Sequence, residues 1–211
     1  MATKIFTVAM LFTISMATIF CTCKKGGLLG CPESSYSFEI DARVYPDKDS
    51  INIGDTIWAE INAADVFVDR YSNQQISFSN AANMGTNMGF QRLVSDSPTQ
   101  VEGAVTKFKF LLVERTFVPN PHPAIEDTII KNFIMKDING KYLFRLAIIP
   151  QDTGTFRFNF GNFVGVYRNN QPCPKADFTT NIIHTNQHYY LFPGGTGIPP
   201  GGPDYAFYVK Q

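Results

Sequence analysis

Four cysteines, three histidines and a few clustered acids are where this 211-residue chain could do chemistry. Cys21 and Cys23 stand close together near the N-terminus. Cys31 and Cys173 stand apart, each beside proline, in Gly30-Cys31-Pro32 and Pro172-Cys173-Pro174. A zinc site needs closely spaced ligand pairs, and neither of these two cysteines has one. His184 and His188 are spaced i, i+4, which on a helix would turn both toward one metal. The surrounding Asn-Ile-Ile-His-Thr-Asn-Gln-His-Tyr-Tyr is a poor helix former and lacks the glutamate of H-E-x-x-H. Asp47, Asp49 and Asp55 flank one turn and are weak candidates for calcium, without the full loop pattern that holds that ion. No nucleophile elbow, phosphate-binding loop or dinucleotide fingerprint occurs, so no catalytic residue and no cofactor is assigned. The acid pairs Asp65/Asp69 and Glu126/Asp127 read as surface residues. Aromatic rings are the better candidates for a binding surface. Trp58 and the pair Tyr189-Tyr190 have the faces to stack on a glycan or anchor a protein partner, or else they serve the core.

The stretch that decides where these residues work is the first twenty-five, MATKIFTVAMLFTISMATIFCTCKK. Lys4 supplies a positive start and Ile5 to Phe20 is an uncharged, mostly apolar run. Its length suits an export signal and falls short of a membrane-spanning helix. The run ends Ala17-Thr18-Ile19-Phe20-Cys21-Thr22-Cys23-Lys24-Lys25. This resembles a bacterial lipoprotein signal, and the C-K-K-G start is most similar to surface lipoproteins of the Bacteroidetes type. Thr22 is small and Phe20 is bulky, so Cys23 is the expected acylated residue, carrying palmitate-like chains. The resemblance implies a signal peptide over 1–22 and a lipidated tether over 23–35. It also implies attachment to the cell envelope, at the outer membrane or cell surface, with several acyl chains holding firmly where one would not.

Two cysteines then fall at the signal boundary, leaving Cys31 and Cys173. In an oxidising compartment they are expected as one disulfide closing nearly the whole domain, the alternative being two separate thiols. Residues beyond the tether suffice for one sizeable core. Charge is balanced, eighteen basic against eighteen acidic residues, with no basic cluster after Lys25, which argues against a nucleic-acid partner. Nineteen Phe and nine Tyr favour strands and a large aromatic core.

Period-two alternation runs through most of the remainder. It predicts strands over Tyr36–Val44, Ile51–Ile53 and Thr56–Asn62, with Trp58 and Glu60 on the face opposite Ile57, Ala59 and Ile61. Shorter strands are expected at Val66–Val68 and Gln75–Phe78, a loop over Asn80–Gly89, and an edge strand at Phe90–Val94. Val101–Phe117 is long enough to bend and change sheets. The prolines of Val118–Pro123 end it. A short helix is expected near 124–131, then a strand to Lys136 and an Asn139-Gly140 hairpin turn. Lys141–Ile149 and Phe156–Phe160 are the clearest core strands. Further strands are expected around Val164–Tyr167, Ile182-Ile183 and Tyr189–Leu191, with a terminal strand at Asp204–Val209.

The run Asp152-Thr153-Gly154-Thr155-Phe156 resembles the lead-in to a late strand of immunoglobulin-like sandwiches. Phe156 stands where those domains carry a tyrosine, so the corner hydrogen bond of that hydroxyl is not available here. The resemblance implies a sandwich and no named family. The sequence therefore reads as a mainly all-β protein with one β-sandwich domain over 36–211, immunoglobulin-like in its features. Its expected role is binding or structural, on a membrane through a lipid anchor, with a glycan or protein partner at the cell surface. A glycan-binding uptake or envelope accessory and a secreted hydrolase with a loop-built site are the alternatives.

Overall fold

The computed structural model describes residues 35–94, 100–113, 116–118, 130–168, 173–183, 186–192 and 202–211. The export signal, Cys21, Cys23, Cys31, the proline-rich stretch at 119–123, Glu126, Asp127 and His184 lie outside these residues. In chain order the strands are β1 (Tyr36–Tyr45), β2 (Ser50–Asn52), β3 (Ile57–Ala64), β4 (Val66–Val68), β5 (Gln75–Ser77), β6 (Gly85–Leu93), β7 (Val101–Gly103), β8 (Phe108–Leu112), β9 (Thr116–Val118), β10 (Ile130–Ile134), β11 (Lys141–Pro150), β12 (Gly154–Phe160), β13 (Phe163–Tyr167), β14 (Lys175–Ile182) and β15 (Asp204–Lys210). Among the described residues the only helical pieces are two 3-10 turns, at Val105–Lys107 and Tyr189–Leu191, and no helix is long and apolar enough to cross a membrane.

Two sheets form a sandwich. The first has the order β13-β14-β1-β3-β11-β8; the second runs β2-β15-β12-β6-β10-β9, with β7 added beside β6. The alternating sequences explain the layering, because successive side chains of a strand point to opposite faces. Phe38, Ile40, Ala42 and Val44 of β1 are buried, while Glu39, Asp41 and Arg43 point out. Facing them across the core, β12 buries Phe156, Phe158 and Phe160. The interior is a web of rings: Phe133 stacks on Phe144 with centroids 4.0 Å apart, and Phe67 meets Phe178 edge-on at 4.8 Å. Such contacts add about 0.5–1.5 kcal/mol each beyond the area they bury.

The Val101–Phe117 segment changes sheets twice. It pairs with β6 as β7, crosses to the first sheet as β8 beside β11, and returns to the second as β9 beside β10. The Asn139-Gly140 turn forms as the sequence predicts, with φ of 54° and 76°, and Ile138 and Lys141 close it with reciprocal backbone bonds of 2.9 and 3.2 Å. At the Asp152 corner Phe156 is fully buried. The turn into β12 is held by charged groups. Asp152 Oδ2 lies 3.1 Å from both Arg92 Nη1 and Lys107 Nζ, and Arg92 Nη2 donates to the Thr153 carbonyl at 2.7 Å.

Three local expectations are corrected. The helix over 124–131 does not reach its end: Ile130 and Lys131 begin β10, paired to Gly89 and Met88 of β6, and 124–129 lie outside the described residues. A ladder partner outweighs a marginal helical spacing. The loop over Asn80–Gly89 gives way at Gly85, where β6 starts, and β6 is a central strand between β12 and β10. Gly85 permits this closeness, since a Cβ there would stand 2.2 Å from the Phe133 carbonyl oxygen. Tyr189–Leu191 is a 3-10 turn rather than a strand. Gln187 and His188 before it take φ of 56° and 50°, which turns the chain out of extension.

Candidate binding surface

Two acid-bearing regions lie at opposite ends of β1. After Tyr45 the chain turns through Pro46 to Ser50 and packs against residues 186–190. Asp47 Oδ2 accepts from the Asn186 backbone N–H at 3.1 Å and from its side-chain amide at 3.2 Å, and Asp47 Oδ1 lies 3.4 Å from His188 Nε2. The Tyr190 hydroxyl donates to Asp49 Oδ2 at 2.7 Å. That bond holds the Asp49 carboxyl below its ordinary range and pushes the Tyr190 hydroxyl above its own. Beneath them the Tyr205 hydroxyl accepts from the Lys48 N–H at 3.1 Å and donates to the Lys48 carbonyl at 3.0 Å. Burial drives its pKa upward. Asp55 is separate and accepts from the Asn52 N–H at 2.8 Å. The three sequence candidates for calcium are thus held by protein donors, and among the described residues no three His, Cys, Asp or Glu side chains gather to hold a metal. Tyr190 is exposed, with its hydroxyl engaged. Tyr189 is packed inward near Asp204, and burial pushes its pKa up to about 12.

The lone tryptophan lies on the outer face of the first sheet. Trp58 faces Tyr45 across the β1–β3 ladder, with ring centroids 6.5 Å apart. The Arg145 guanidinium sits 4.3 Å over the Trp58 ring. Glu60 completes the group: its Oε2 accepts from the Tyr45 hydroxyl at 3.0 Å and lies 3.8 Å from Arg145 Nε. Among the described residues Arg145 Nε is buried without a hydrogen bond, and the guanidinium is held by the Glu60 charge and by the ring faces of Trp58 and Tyr45.

At the other end of β1 the sheet divides. The β1–β3 ladder covers Ala42–Tyr45 only, although β1 starts at Tyr36 and β3 continues to Ala64. The hairpin of β4 and β5 occupies the gap. Phe67 drops its ring into the core against Phe38 and Phe178. Asp69 fastens the hairpin to β1. Its carboxylate accepts from the Ser37 N–H at 3.0 Å, from the Ser72 N–H at 2.9 Å and from the Ser72 hydroxyl at 2.7 Å. The bond from Ser37, then those from Ser72, hold its pKa below the usual carboxylate range. Asp69 is 2% exposed, which corrects the surface reading of that residue. The sequence did carry a signal for it, because an aspartate three residues before a serine favours this kind of local turn.

A cleft of about 510 Å³ opens at the fork, lined by Glu39 and Asp41 from β1, by Val66, Phe67 and Val68 from β4, and by the hairpin loop. A smaller one of about 210 Å³ adjoins it through Asp41, with Arg43, Glu60, Asn62 and Ile183. Glu39 is paired with Arg70 at 3.5 Å. The outward alternation of β1 already marked Glu39, Asp41 and Arg43 as facing solvent; that they border a cleft depends on where two strands part.

Cys173, just before β14, is disulfide-bonded. No family model matches the chain, and no curated protein matches it. Two solved structures are similar to it in part. One is a type II cohesin dyad from the adaptor ScaA scaffoldin of Acetivibrio cellulolyticus, at 13% identity over 60% of this chain and 38% of that one, with a TM-score of 0.25. The other is a type II cohesin domain from the cellulosome of Acetivibrio cellulolyticus, at 10% identity over 58% of this chain and 75% of that one, with a TM-score of 0.22. Overlaps this shallow carry no functional argument.

Proposed function

We propose that this chain is an exported β-sandwich, held at a bacterial envelope through an acylated Cys23, that works by binding at the fork face of its first sheet. The observation that carries the binding role is the contrast in polar saturation. The Tyr45 hydroxyl and the Trp58 ring are covered within their own cluster, whereas Asp41, Arg43 and Asn62, with Glu60 at their edge, line open clefts. The disulfide at Cys173 supports an oxidising compartment. Its proposed partner is Cys31. β1 runs parallel to β14 with Tyr36 opposite Ala176, and the Ser35 N–H donates to the Lys175 carbonyl at 2.9 Å. In sequence, Cys31 precedes Tyr36 by five residues and Cys173 precedes Ala176 by three, which is what supports the pairing.

Two measurements test the proposal. Intact mass of the protein from its native membrane should start at Cys23 with acyl chains attached, and should gain two hydrogens on reduction. A soluble, unacylated product overturns the anchor. A photo-crosslinking side chain placed at Asn62 in the native cells should yield adducts that the same probe at Tyr190 does not. Equal yields, or none, overturn binding at the fork.

A further inference from the structure

The fork exposes backbone as well as side chains. Along β1 the hydrogen-bonding direction alternates. The Ala42 carbonyl accepts from the Ile183 N–H at 2.9 Å, so the even-numbered residues turn their backbone groups toward β14. The odd-numbered residues turn the other way: Ser37 donates its N–H to Asp69 Oδ1 at 3.0 Å and accepts at its carbonyl from the Arg70 N–H at 2.8 Å. On that side the ladder with β3 begins at the rung of Ala42 with Ile61, a non-hydrogen-bonded pair whose flanking bond engages the Asp41 carbonyl. Among the described residues the Glu39 N–H and carbonyl and the Asp41 N–H stay open before it. Glu39 and Asp41 lie between these two points. Among the described residues no strand pairs with that edge, since β4 pairs with β5 alone.

The larger cleft lies against this same edge. Phe67 is its floor. Val66 and Val68, two residues apart on β4, form the opposite wall and are 45% and 49% exposed. A short run of open backbone donors and acceptors beside apolar side chains at strand spacing is the template for adding a strand. Asp41 adds a charge requirement, because the nearby Arg70 is already paired with Glu39. Oligosaccharides bind chiefly by stacking on aromatic faces. The Trp58 ring is covered by Arg145, and Tyr71 in the hairpin loop is the exposed ring at this surface among the described residues, so the test includes an oligosaccharide.

We infer that the fork takes an extended polypeptide segment, which adds to β1 opposite Glu39 and Asp41, packs alternate apolar side chains on Val66 and Val68, and turns a basic side chain toward Asp41. The inference rests on the binding role proposed above and names its partner class.

The probe is the capped peptide Val-Thr-Val-Thr-Lys, whose valines and lysine share one strand face, with a twin methylated on its backbone nitrogens, added to the mature protein while amide exchange is read by NMR. In the free protein the Glu39 and Asp41 amides should exchange at least about tenfold faster than those of Phe38 and Ile40. The peptide should slow those two selectively, by about tenfold or more, and the methylated twin should not. Asp41→Lys should weaken binding about tenfold with the melting temperature unchanged, and Val68→Lys should weaken it as well. Strand addition is overturned by protection of Glu39 and Asp41 in the free protein, by equal protection from the twin, or by no effect of the peptide. It is also overturned if a neutral oligosaccharide such as maltohexaose shifts the fork resonances and the peptide does not. If adducts still form at Asn62 in cells, such a result removes the peptide and leaves the binding role. If they do not form, both fall.

Discussion

The two ends of β1 are built from similar residues and have come to opposite states. Beyond Tyr45, Asp47 and Asp49 are consumed by Asn186, His188 and Tyr190, over a Tyr205 hydroxyl that bonds the Lys48 backbone. Toward Tyr36, one acid, Asp69, is consumed in fastening a hairpin, while Glu39 and Asp41 border open space. Acidic residues by themselves do not distinguish a brace from a binding surface. The difference lies in how many donors the fold brings to each carboxylate. At the corner, the loop before β15 folds back onto the turn and brings donors to both carboxylates. At the fork, β3 leaves β1 after Ala42 and takes its partners to β11.

Removing the floor of the fork should have the largest effect. Phe67 is 7% exposed and packs on Phe38, Phe178 and Tyr142. Phe67→Ala should cost about 3–5 kcal/mol, measured by denaturant unfolding, and should free the hairpin so that the Arg70 amide loses exchange protection. At the corner the corresponding change is Tyr205→Phe. It keeps the ring and strands the Lys48 backbone groups, so the expected loss is about 1–3 kcal/mol. A loss larger than that of Phe67→Ala would mean that the corner, and not the fork, is the more firmly braced end of β1.

Much of the scaffold was legible because its periodicity is unmixed. Phe156, Phe158 and Phe160 alternate with Thr155, Arg157 and Asn159, and all three rings are buried. The Asn139-Gly140 turn is local chemistry and needed no tertiary information. β6 was only half legible. Gly85, Asn87 and Gly89 argue for a loop, and they are overruled by ladders on both sides, with β10 and β12. Tyr189–Leu191 carries a strand's composition and is bent by the two left-handed residues before it. The fork could not be read from the sequence at all. It is fixed by the rung at which β1 and β3 separate, and no residue type announces where a register ends.

Acid should separate the hairpin clasp from the rest of the fork. The folded pKa of Asp69 lies below its unfolded value of 3.8. Its contribution is therefore complete above that value and is lost as pH falls through and beneath it. Protection of the Ser37 and Ser72 amides should decline as pH falls below 3.8, earlier than that of Phe158 in the core. Asp69→Asn should remove the pH dependence of those two amides. If they titrate unchanged in that variant, Asp69 is not the clasp.

The smallest expected effect is the one that most sharpens the contrast. Asp41, Arg43 and Asn62 are exposed, and the fork meets them with few fixed partners. Asp41→Asn, Arg43→Gln and Asn62→Ala should each leave unfolding free energy within about 0.5 kcal/mol of the parent. Residues that cost nothing to replace in the free protein, yet line its two adjoining clefts, are held there by something other than stability. If instead any of the three destabilises the protein as Tyr205→Phe does, that residue is a brace like Asp47, and the two ends of β1 differ in geometry alone. If all three are neutral for folding and each diminishes adduct formation from Asn62, polar capacity left unspent by the fold is what makes one end of the strand a surface for binding and the other a joint.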